Sequence, residues 1–206
     1  MVVSSHTRQS RSAKRRTRYE RVTKETSISV DIDIDGSGKA RIDTGISFID
    51  HLVTSICKHA LFDVTLAAKS NDGILHHLAE DVAIALAQSI DKALGDRARI
   101  FRFGSASVPM DESLAAASID LVKRPFDNVQ LLLKRDSIEG VPREDIEHFV
   151  RSLAENVNAC VHITVLYGEN DHHKVEAALK AFAVALRAAA GIDPRQKGIP
   201  STKGSM

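Results

Sequence analysis

The stretch His76-His77-Leu78-Ala79-Glu80 recurs 96 positions later as His172-His173-Lys174-Val175-Glu176. A second pair of stretches, Asp50-His51-Leu52-Val53-Thr54-Ser55 and Glu147-His148-Phe149-Val150-Arg151-Ser152, repeats at an offset of 97. Two landmarks that recur at nearly the same offset indicate an internal duplication. The sequence therefore predicts one structural unit that is used twice.

The hydrophobic pattern predicts the elements of the first unit. Apolar and polar residues alternate over 28–35, which is typical of a half-buried strand, and 39–43 follows a Gly-Ser-Gly turn as the returning strand. A helix over 46–59 with Thr44 as its cap is predicted next. It is followed by a predicted short strand over 62–66 and a predicted helix over 75–94 that stops at Gly95.

The second unit repeats this order. Its predicted elements are strands over 114–122 and 128–133, a helix over 142–157 that starts at Pro142, a strand over 161–166 and a helix over 171–190. A strand at about 99–108 joins the two units. We therefore predict an α+β fold of tandem β-β-α-β-α halves, in which helices pack on one face of two small sheets, as in the second domain of ribosomal protein S5.

The two halves are predicted to span 19–98 and 99–191, to form one compact unit, and to be followed by a C-terminal tail over 192–206. Residues 1–18 contain six Arg or Lys, four Ser and no acidic residue. A segment of this composition buries too little apolar surface to offset the entropy of ordering it, so it is predicted to be a disordered basic tail. A plastid transit peptide and a nucleic-acid contact are the alternative interpretations.

The overall composition is that of a globular protein. The chain has 206 residues, 43% of them hydrophobic, and a net charge of +1, which gives no hint of a polyanionic partner. No apolar run approaches the ~20 residues that a membrane helix needs, so no membrane partner is expected. The only cysteines, Cys57 and Cys160, are interpreted as reduced thiols of a cytoplasmic protein.

The repeated His-His-x-x-Glu motif predicts a metal site at the start of a helix. Residues three and four positions apart are neighbours on a helix, so Glu80 can lie beside both imidazoles of its pair. Adjacent imidazoles point about 100° apart, so each pair can serve two ions or two subunits. Such donors suit Mn, Fe, Co or Zn, with octahedral Mn(II) preferred. The predicted ligands are His51, His76, His77, Glu80, His148, His172, His173 and Glu176.

Along about residues 20–206 the chain resembles the imidazoleglycerol-phosphate dehydratase family of histidine biosynthesis. Nine stretches in one order carry the resemblance: RVTKET at 21–26, GISFIDH at 45–51, HHLAED at 76–81, RFGS at 102–105, VPMDE at 108–112, RPF at 124–126, EHF at 147–149, YGENDHH at 167–173 and PSTKG at 200–204.

The resemblance implies dehydration of D-erythro-imidazoleglycerol phosphate to imidazole-acetol phosphate. It implies two Mn(II) ions on the eight ligands named above and no redox cofactor. The ions would hold the ring nitrogens and act as Lewis acids. It assigns proton transfer and substrate contact to Glu25, with Glu176 or a metal-bound water as competing candidates. It also implies a cubic shell of 24 identical subunits, with metal sites where subunits meet.

The resemblance further assigns a set of residues to the substrate phosphate, which needs fixed positive charge and hydrogen-bond donors. Part of this set lies in the C-terminal tail, which is therefore expected to bind substrate. The assigned residues are His59, Arg102, Arg124, Lys180, Ser201, Thr202 and Lys203.

Three positions depart from the family pattern. Leu75 stands where the family has Asp, which removes an expected partner that orients an imidazole. Ser55 stands where Gln is common, and Leu78-Ala79 replace Thr-Val. Since all eight ligand types remain, these changes are expected to alter metal affinity or rate at most.

Two other functions are considered. A dinuclear metal hydrolase could use the same duplicated scaffold, but it would not need Arg102, Arg124 and the other phosphate residues. A nucleic-acid-binding protein would explain the basic tail, but it would leave both His-His-x-x-Glu motifs without a purpose. No nucleic-acid partner is therefore expected.

Overall fold

The computed structural model describes residues 15–205. Its first half has a four-stranded sheet in the order β1-β2-β4-β3, in which β3 runs parallel to β4 and the other pairs are antiparallel. The elements of this half are β1 (Arg16–Val22), β2 (Thr26–Asp33), β3 (Ala40–Asp43), α1 (Ser47–Ala60), β4 (Asp63–Ser70) and α2 (Leu75–Leu94).

The second half has the same topology, with a sheet in the order β5-β6-β10-β7 and one parallel pair, β7 with β10. It adds a small hairpin, β8–β9, before its first helix. Its elements are β5 (Phe103–Met110), β6 (Ser113–Asp120), β7 (Phe126–Gln130), β8 (Ser137–Ile138), β9 (Val141–Pro142), α3 (Arg143–Asn156), β10 (Cys160–Tyr167) and α4 (Asp171–Ala190).

One hydrophobic core runs through both halves, because the helices pack across the junction. Helix α1 packs on α4 of the other half, and α2 packs on α3. Apolar residues of β2 such as Val30 and Ile32 are fully buried under this helical layer. The approach of α4 to β5 is so close that a Cβ atom on Gly104 would overlap the carbonyl oxygen of Ala185. The predicted α+β class with two small sheets is confirmed.

The four-stranded sheet of each half nevertheless has one more strand before the first helix than the predicted β-β-α-β-α. The strand predicted at about 99–108 to join the two units is β5, which instead belongs to the second sheet as its first strand, and β1 is its counterpart in the first. Residues 16–18, which were expected in the disordered tail, belong to β1 because they pair with the free edge of β2. Residues 1–14 of the predicted tail lie outside the described residues.

The strand predicted to return beside β2 instead lies at the far edge of the sheet. Since β1 and β4 occupy both edges of β2, β3 pairs with β4. The side chain of Asp63 fixes this turn, because its Oδ1 accepts hydrogen bonds from the backbone amides of Ser37 at 2.7 Å and Lys39 at 2.9 Å. Likewise β6 and β7 are not neighbours, since β10 lies between them.

The helix starts also differ in detail from the predictions. Ile46 occupies the cap position of α1, and Thr44 instead donates its hydroxyl and its backbone amide to Asp50 Oδ1. Helix α3 begins at Arg143, one residue after Pro142. None of the helices between residues 15 and 205 is both long and apolar enough to cross a membrane.

Candidate metal centre

The first cluster, which we call the α1–α4 site, contains His51, His172 and Glu176. Its ligand atoms all lie within 4.8 Å of one another. Glu176 Oε2 is 3.1 Å from His51 Nε2 and 3.3 Å from His172 Nε2. Helix α1 of the first half supplies His51, and α4 of the second half supplies the other two residues. The cluster therefore exists only because the two halves pack together.

Glu176 is the buried anion of this site. Burial favours its protonated form, but hydrogen bonds from Lys180 and His51 outweigh that effect and lower the pKa of Glu176 to about 2. Lys180 lies one turn further along α4, and its Nζ is 2.6 Å from Glu176 Oε1. The carboxylate is therefore ionised at neutral pH, which is the form that binds a metal ion.

The second cluster, which we call the α2–α3 site, contains His76, Glu80 and His148. It mirrors the first, because α2 of the first half supplies two ligands and α3 of the second half supplies His148. The rings of His76 and His148 are stacked with their centroids 4.7 Å apart. Within the described residues, His148 Nε2 is buried without a hydrogen-bond partner, although Glu80 Oε1 lies 3.2 Å away.

An unsatisfied buried nitrogen costs free energy unless another atom binds it. A divalent ion between His76, Glu80 and His148 would bind this nitrogen. The donor set of each site, two imidazoles and one carboxylate, also fits a borderline divalent ion.

The second histidine of each pair points away from these sites. The ring centroids of His76 and His77 are 6.2 Å apart, and those of His172 and His173 are 6.1 Å apart, with the rings steeply inclined in both pairs. His77 instead lies in a third cluster with Glu25 and Asp72. The two imidazoles of each pair therefore point to different parts of the structure, as the helical geometry predicts.

Four carboxylates that sequence reasoning missed orient the imidazoles through their Nδ1 atoms. Two of them act on the first histidine of each pair: Asp145 Oδ1 is 2.6 Å from His76 Nδ1, and Glu139 Oε1 is 3.1 Å from His172 Nδ1. A carboxylate on Nδ1 leaves Nε2 free to bind a metal ion.

The other two act on the second histidine of each pair. Asp72 Oδ2 is 2.7 Å from His77 Nδ1 and raises the pKa of His77. Glu112 Oε2 is 2.7 Å from His173 Nδ1, and this bond holds the pKa of Glu112 far below its ordinary value. Two of the four carried a sequence signal: Asp145 lies three residues before His148 on one helix face, and Glu112 ends the stretch at 108–112 that supports the family resemblance.

The two second histidines receive their carboxylates from different loops for a steric reason. The offset between the pairs places Gly168 at the position that corresponds to Asp72. A Cβ atom on Gly168 would overlap the hydroxyl of Ser113, so this loop has no room for a carboxylate. Glu112, in the turn between β5 and β6, binds the Nδ1 atom of His173 instead.

Glu25 lies in the turn between β1 and β2. Its Oε2 is 3.9 Å from His77 Nδ1, beyond hydrogen-bond distance. Since Asp72 already binds that nitrogen, the carboxylate of Glu25 is left available beside the imidazole.

The residues assigned to the substrate phosphate fall into two groups. Five of them line one cavity of about 330 Å³ at the C-terminal segment. Arg102 is fixed there by Asp120, at 2.7 Å from its Nε, and by the carbonyl of Pro200, at 2.8 Å from its Nη1. The five residues in this group, which we call the C-terminal pocket, are Arg102, Arg124, Ser201, Thr202 and Lys203.

The other two, His59 and Lys180, belong to the surroundings of Glu176. Burial, reinforced by the charge of Lys180, lowers the pKa of His59. The neutral imidazole can donate one hydrogen bond and accept another. The structure therefore separates this pair from the C-terminal pocket in the single chain.

The replacement at Leu75 does not leave an imidazole without a partner. The position that corresponds to Leu75 in the second half is Asp171, which is buried and forms an ion pair with Lys174 Nζ at 2.8 Å. Asp171 also accepts hydrogen bonds from the backbone amides of Lys134 and Arg135, so it anchors a loop rather than a histidine. Leu75 packs against the hydrophobic core instead.

The fold and these clusters together define a duplicated α+β protein with two related His-Glu clusters that could hold metal ions. A model of the imidazoleglycerol-phosphate dehydratase family matches residues 44–186. The chain is 43% identical to the imidazoleglycerol-phosphate dehydratase of Dehalococcoides mccartyi, over 94% of this chain and 98% of that protein. It is 47% identical to the enzyme of that name from Phytophthora nicotianae, but it spans only 43% of that protein's length.

Solved structures agree with this likeness. A crystal structure of the enzyme from Pyrococcus furiosus in complex with (S)-C348 matches with a TM-score of 0.77 and 36% identity, over 91% of this chain and 99% of that one. The enzyme from Staphylococcus aureus matches with a TM-score of 0.74 and 29% identity, over 85% and 99%. The chain belongs to the imidazoleglycerol-phosphate dehydratase family, and it is therefore a hydro-lyase of histidine biosynthesis.

Proposed function

We propose that the chain converts imidazoleglycerol phosphate to imidazole-acetol phosphate and water with divalent metal ions at the α1–α4 and α2–α3 sites. The observation that carries this proposal is the pair of three-ligand clusters, each assembled from both halves of the chain. Removal of an unactivated hydroxyl beside an imidazole ring needs electrons donated by that ring. A divalent ion bound to the ring nitrogens would act as a Lewis acid that favours the imidazolate, from which the ring can donate these electrons.

We assign one Mn(II) ion to each cluster, hence two per chain. His51, His172 and Glu176 hold one ion, and His76, Glu80 and His148 hold the other. An ion with three protein ligands would have room for further ligands, namely water, the substrate and a further histidine. His77 and His173 point away from both clusters of their own chain, so we assign them to the ions of neighbouring copies.

Glu25 is the proposed proton-transfer residue. Its carboxylate stands beside His77 without a tight hydrogen bond to it, since Asp72 binds that imidazole. Glu176 is less suited to this task, because Lys180 and His51 hold its pKa at about 2. A general base or acid works best when its pKa is near the operating pH.

The C-terminal pocket is the proposed site for the substrate phosphate. Two guanidinium groups, one ammonium and two hydroxyls converge there, which is the donor set that a phosphate dianion needs. Lys180 and His59 add positive charge and hydrogen-bonding capacity next to Glu176. This pocket favours a phosphorylated substrate. A dinuclear hydrolase, the alternative function, would not need a phosphate-binding pocket.

We propose that copies of the chain assemble into the 24-subunit cubic shell expected from the sequence, with metal sites where subunits meet. The outward-pointing His77 and His173 support this arrangement. We also propose a cytoplasmic location, which the free thiols Cys57 and Cys160 support.

The test is turnover of imidazoleglycerol phosphate by metal-stripped protein before and after addition of Mn(II). We expect the keto product to form only with the ion present, and we expect His77→Ala to abolish it. A matched control is His162→Ala, which removes an exposed histidine of β10 outside all three clusters. Full turnover without any divalent ion would reject the metal role, and no turnover in the loaded wild type would reject the substrate.

A further inference from the structure

The two candidate metal sites differ in charge, although the duplication relates them. In the α1–α4 site, Lys180 donates to the ligand Glu176 at 2.6 Å. The offset of 96 places Ile84 at the corresponding position of α2. Glu80 therefore has no ammonium group from this position that would compete with a bound cation.

A second difference concerns the carboxylate that orients the first histidine. In the α2–α3 site this is Asp145, which is only 6% exposed and lies 2.6 Å from His76 Nδ1. The position that corresponds to Asp145 in the first half is Phe48, whose ring centroid is 5.2 Å from that of His172. His172 depends instead on Glu139, whose side chain is 58% exposed, so solvent screens its charge.

The ligand atoms also differ in what they bind when no ion is present. Glu176 Oε2 already interacts with His51 Nε2 and His172 Nε2, so an entering ion has to replace these hydrogen bonds. His148 Nε2 also lies close to its glutamate, 3.2 Å from Glu80 Oε1, but the two groups are not aligned for a hydrogen bond, so this buried atom is unsatisfied within the described residues. An ion in the α2–α3 site therefore satisfies an atom that is otherwise unsatisfied.

We propose that the two metal sites are inequivalent: the α2–α3 site binds a divalent cation first and more tightly, and Lys180 keeps the α1–α4 site at lower affinity. This inference rests on the proposed function, which places one ion in each cluster. Asp145 and Lys180 act here as positioning residues that set the charge around the ligands. Changes of residues that support metal ligands alter affinity about 10- to 100-fold, and we expect a difference of this size between the sites.

The experiment is a calorimetric titration of the metal-stripped, full-length protein with Mn(II). We expect two binding classes of one ion per chain, with dissociation constants about 10- to 100-fold apart. The matched pair His148→Ala and His51→Ala identifies the classes, because these histidines occupy equivalent positions in the two halves. His148→Ala is expected to remove the tighter class, and His51→Ala the weaker one.

Two further variants test the cause. Asp145→Asn is expected to weaken the tighter class about 10-fold or more and to leave the weaker class unchanged. Lys180→Met is expected to tighten the weaker class, and it tests the inference independently of whether Asp145→Asn folds. Helical content from circular dichroism shows whether each variant is folded.

Two equal sites in the wild type would overturn the inference and leave the proposed metal centre in place. Loss of the tighter class in His51→Ala would also overturn it, since the order of the sites would be reversed. Binding of no ion at all would instead reject the metal centre itself. The failure of the inference and the failure of the proposed function therefore give different titration curves.

Discussion

His51 Nε2 lies 3.1 Å from Glu176 Oε2, although 125 positions separate the two residues. The mirror pair, His148 and Glu80, spans the same junction in the opposite sense, with 3.2 Å between Nε2 and Oε1. Each site thus takes one histidine from the half that does not supply its glutamate. Neither half alone supplies all three residues of the α1–α4 site or of the α2–α3 site, so both clusters depend on the packing of the two halves.

Glu25 is predicted to control the chemical step and not the metal content. Glu25→Gln removes the proton-transfer group while keeping the shape of the side chain, so kcat should fall about 100- to 10,000-fold. Steady-state kinetics with parallel metal analysis checks this. The matched control is Glu20→Gln, which changes an exposed glutamate of β1 that pairs with Arg18. A kcat equal to that of wild type would rule out Glu25 as the proton-transfer residue.

Arg124 is predicted to bind the substrate phosphate in the C-terminal pocket. Because a hydrogen bond to a charged group contributes roughly 1.5–3 kcal/mol, Arg124→Ala should raise KM about 10- to 100-fold. Arg195→Ala is the control, since that side chain is 85% exposed and pairs with Asp193. Initial rates over a range of substrate concentrations measure the effect. An unchanged KM in Arg124→Ala would place the phosphate elsewhere.

Gly104 is predicted to be required for the packing of α4 on β5. An added Cβ would overlap the Ala185 carbonyl and approach the Ala189 backbone nitrogen, and backbone atoms cannot move aside cheaply. Gly104→Ala should therefore lower the free energy of unfolding by about 1–3 kcal/mol. Urea denaturation measures this against Gly198→Ala, where no atom lies within 4 Å of the added Cβ. Equal stability of the two variants would contradict the packing.

Asp63 is predicted to make stability depend on pH in the acid range. Hydrogen bonds from the backbone amides of Lys39 and Ser37 lower the pKa of Asp63 from its ordinary value of 3.8. The pKa is lower in the folded state, so this contribution is complete above pH 3.8 and is lost as the pH falls through the folded pKa. Wild type should therefore exceed Asp63→Asn in unfolding free energy at pH 7, and the difference should shrink in acid. A difference independent of pH would show that ionisation plays no part.

The sequence predicted the helices best where local signals are strong. The predicted helices over 75–94 and 171–190 match α2 and α4 residue for residue, because their apolar periodicity is long and each is followed by glycine. The duplication was likewise visible in the two repeated landmarks. These features depend on neighbours along the chain, which a sequence displays directly.

What the sequence did not predict depends on contacts between distant residues. No local pattern says that α1 packs on α4 rather than on α2, so the division of the ligands between two sites became clear only in the structure. The edge position of β3 depends on Asp63, which lies 20 residues after Asp43 ends the strand. The carboxylates Glu139 and Asp145 orient histidines of other elements, and only Asp145 shared a helix face with a predicted ligand.

The central claim is that two divalent ions bind across the junction of the halves. Anomalous X-ray diffraction at the manganese absorption edge, from crystals of the Mn-loaded and catalytically active protein, tests it most directly. We predict two peaks per chain, one among His51, His172 and Glu176 and the other among His76, Glu80 and His148. A peak among Glu25, Asp72 and His77 alone, or no peak at either junction site, would contradict the account.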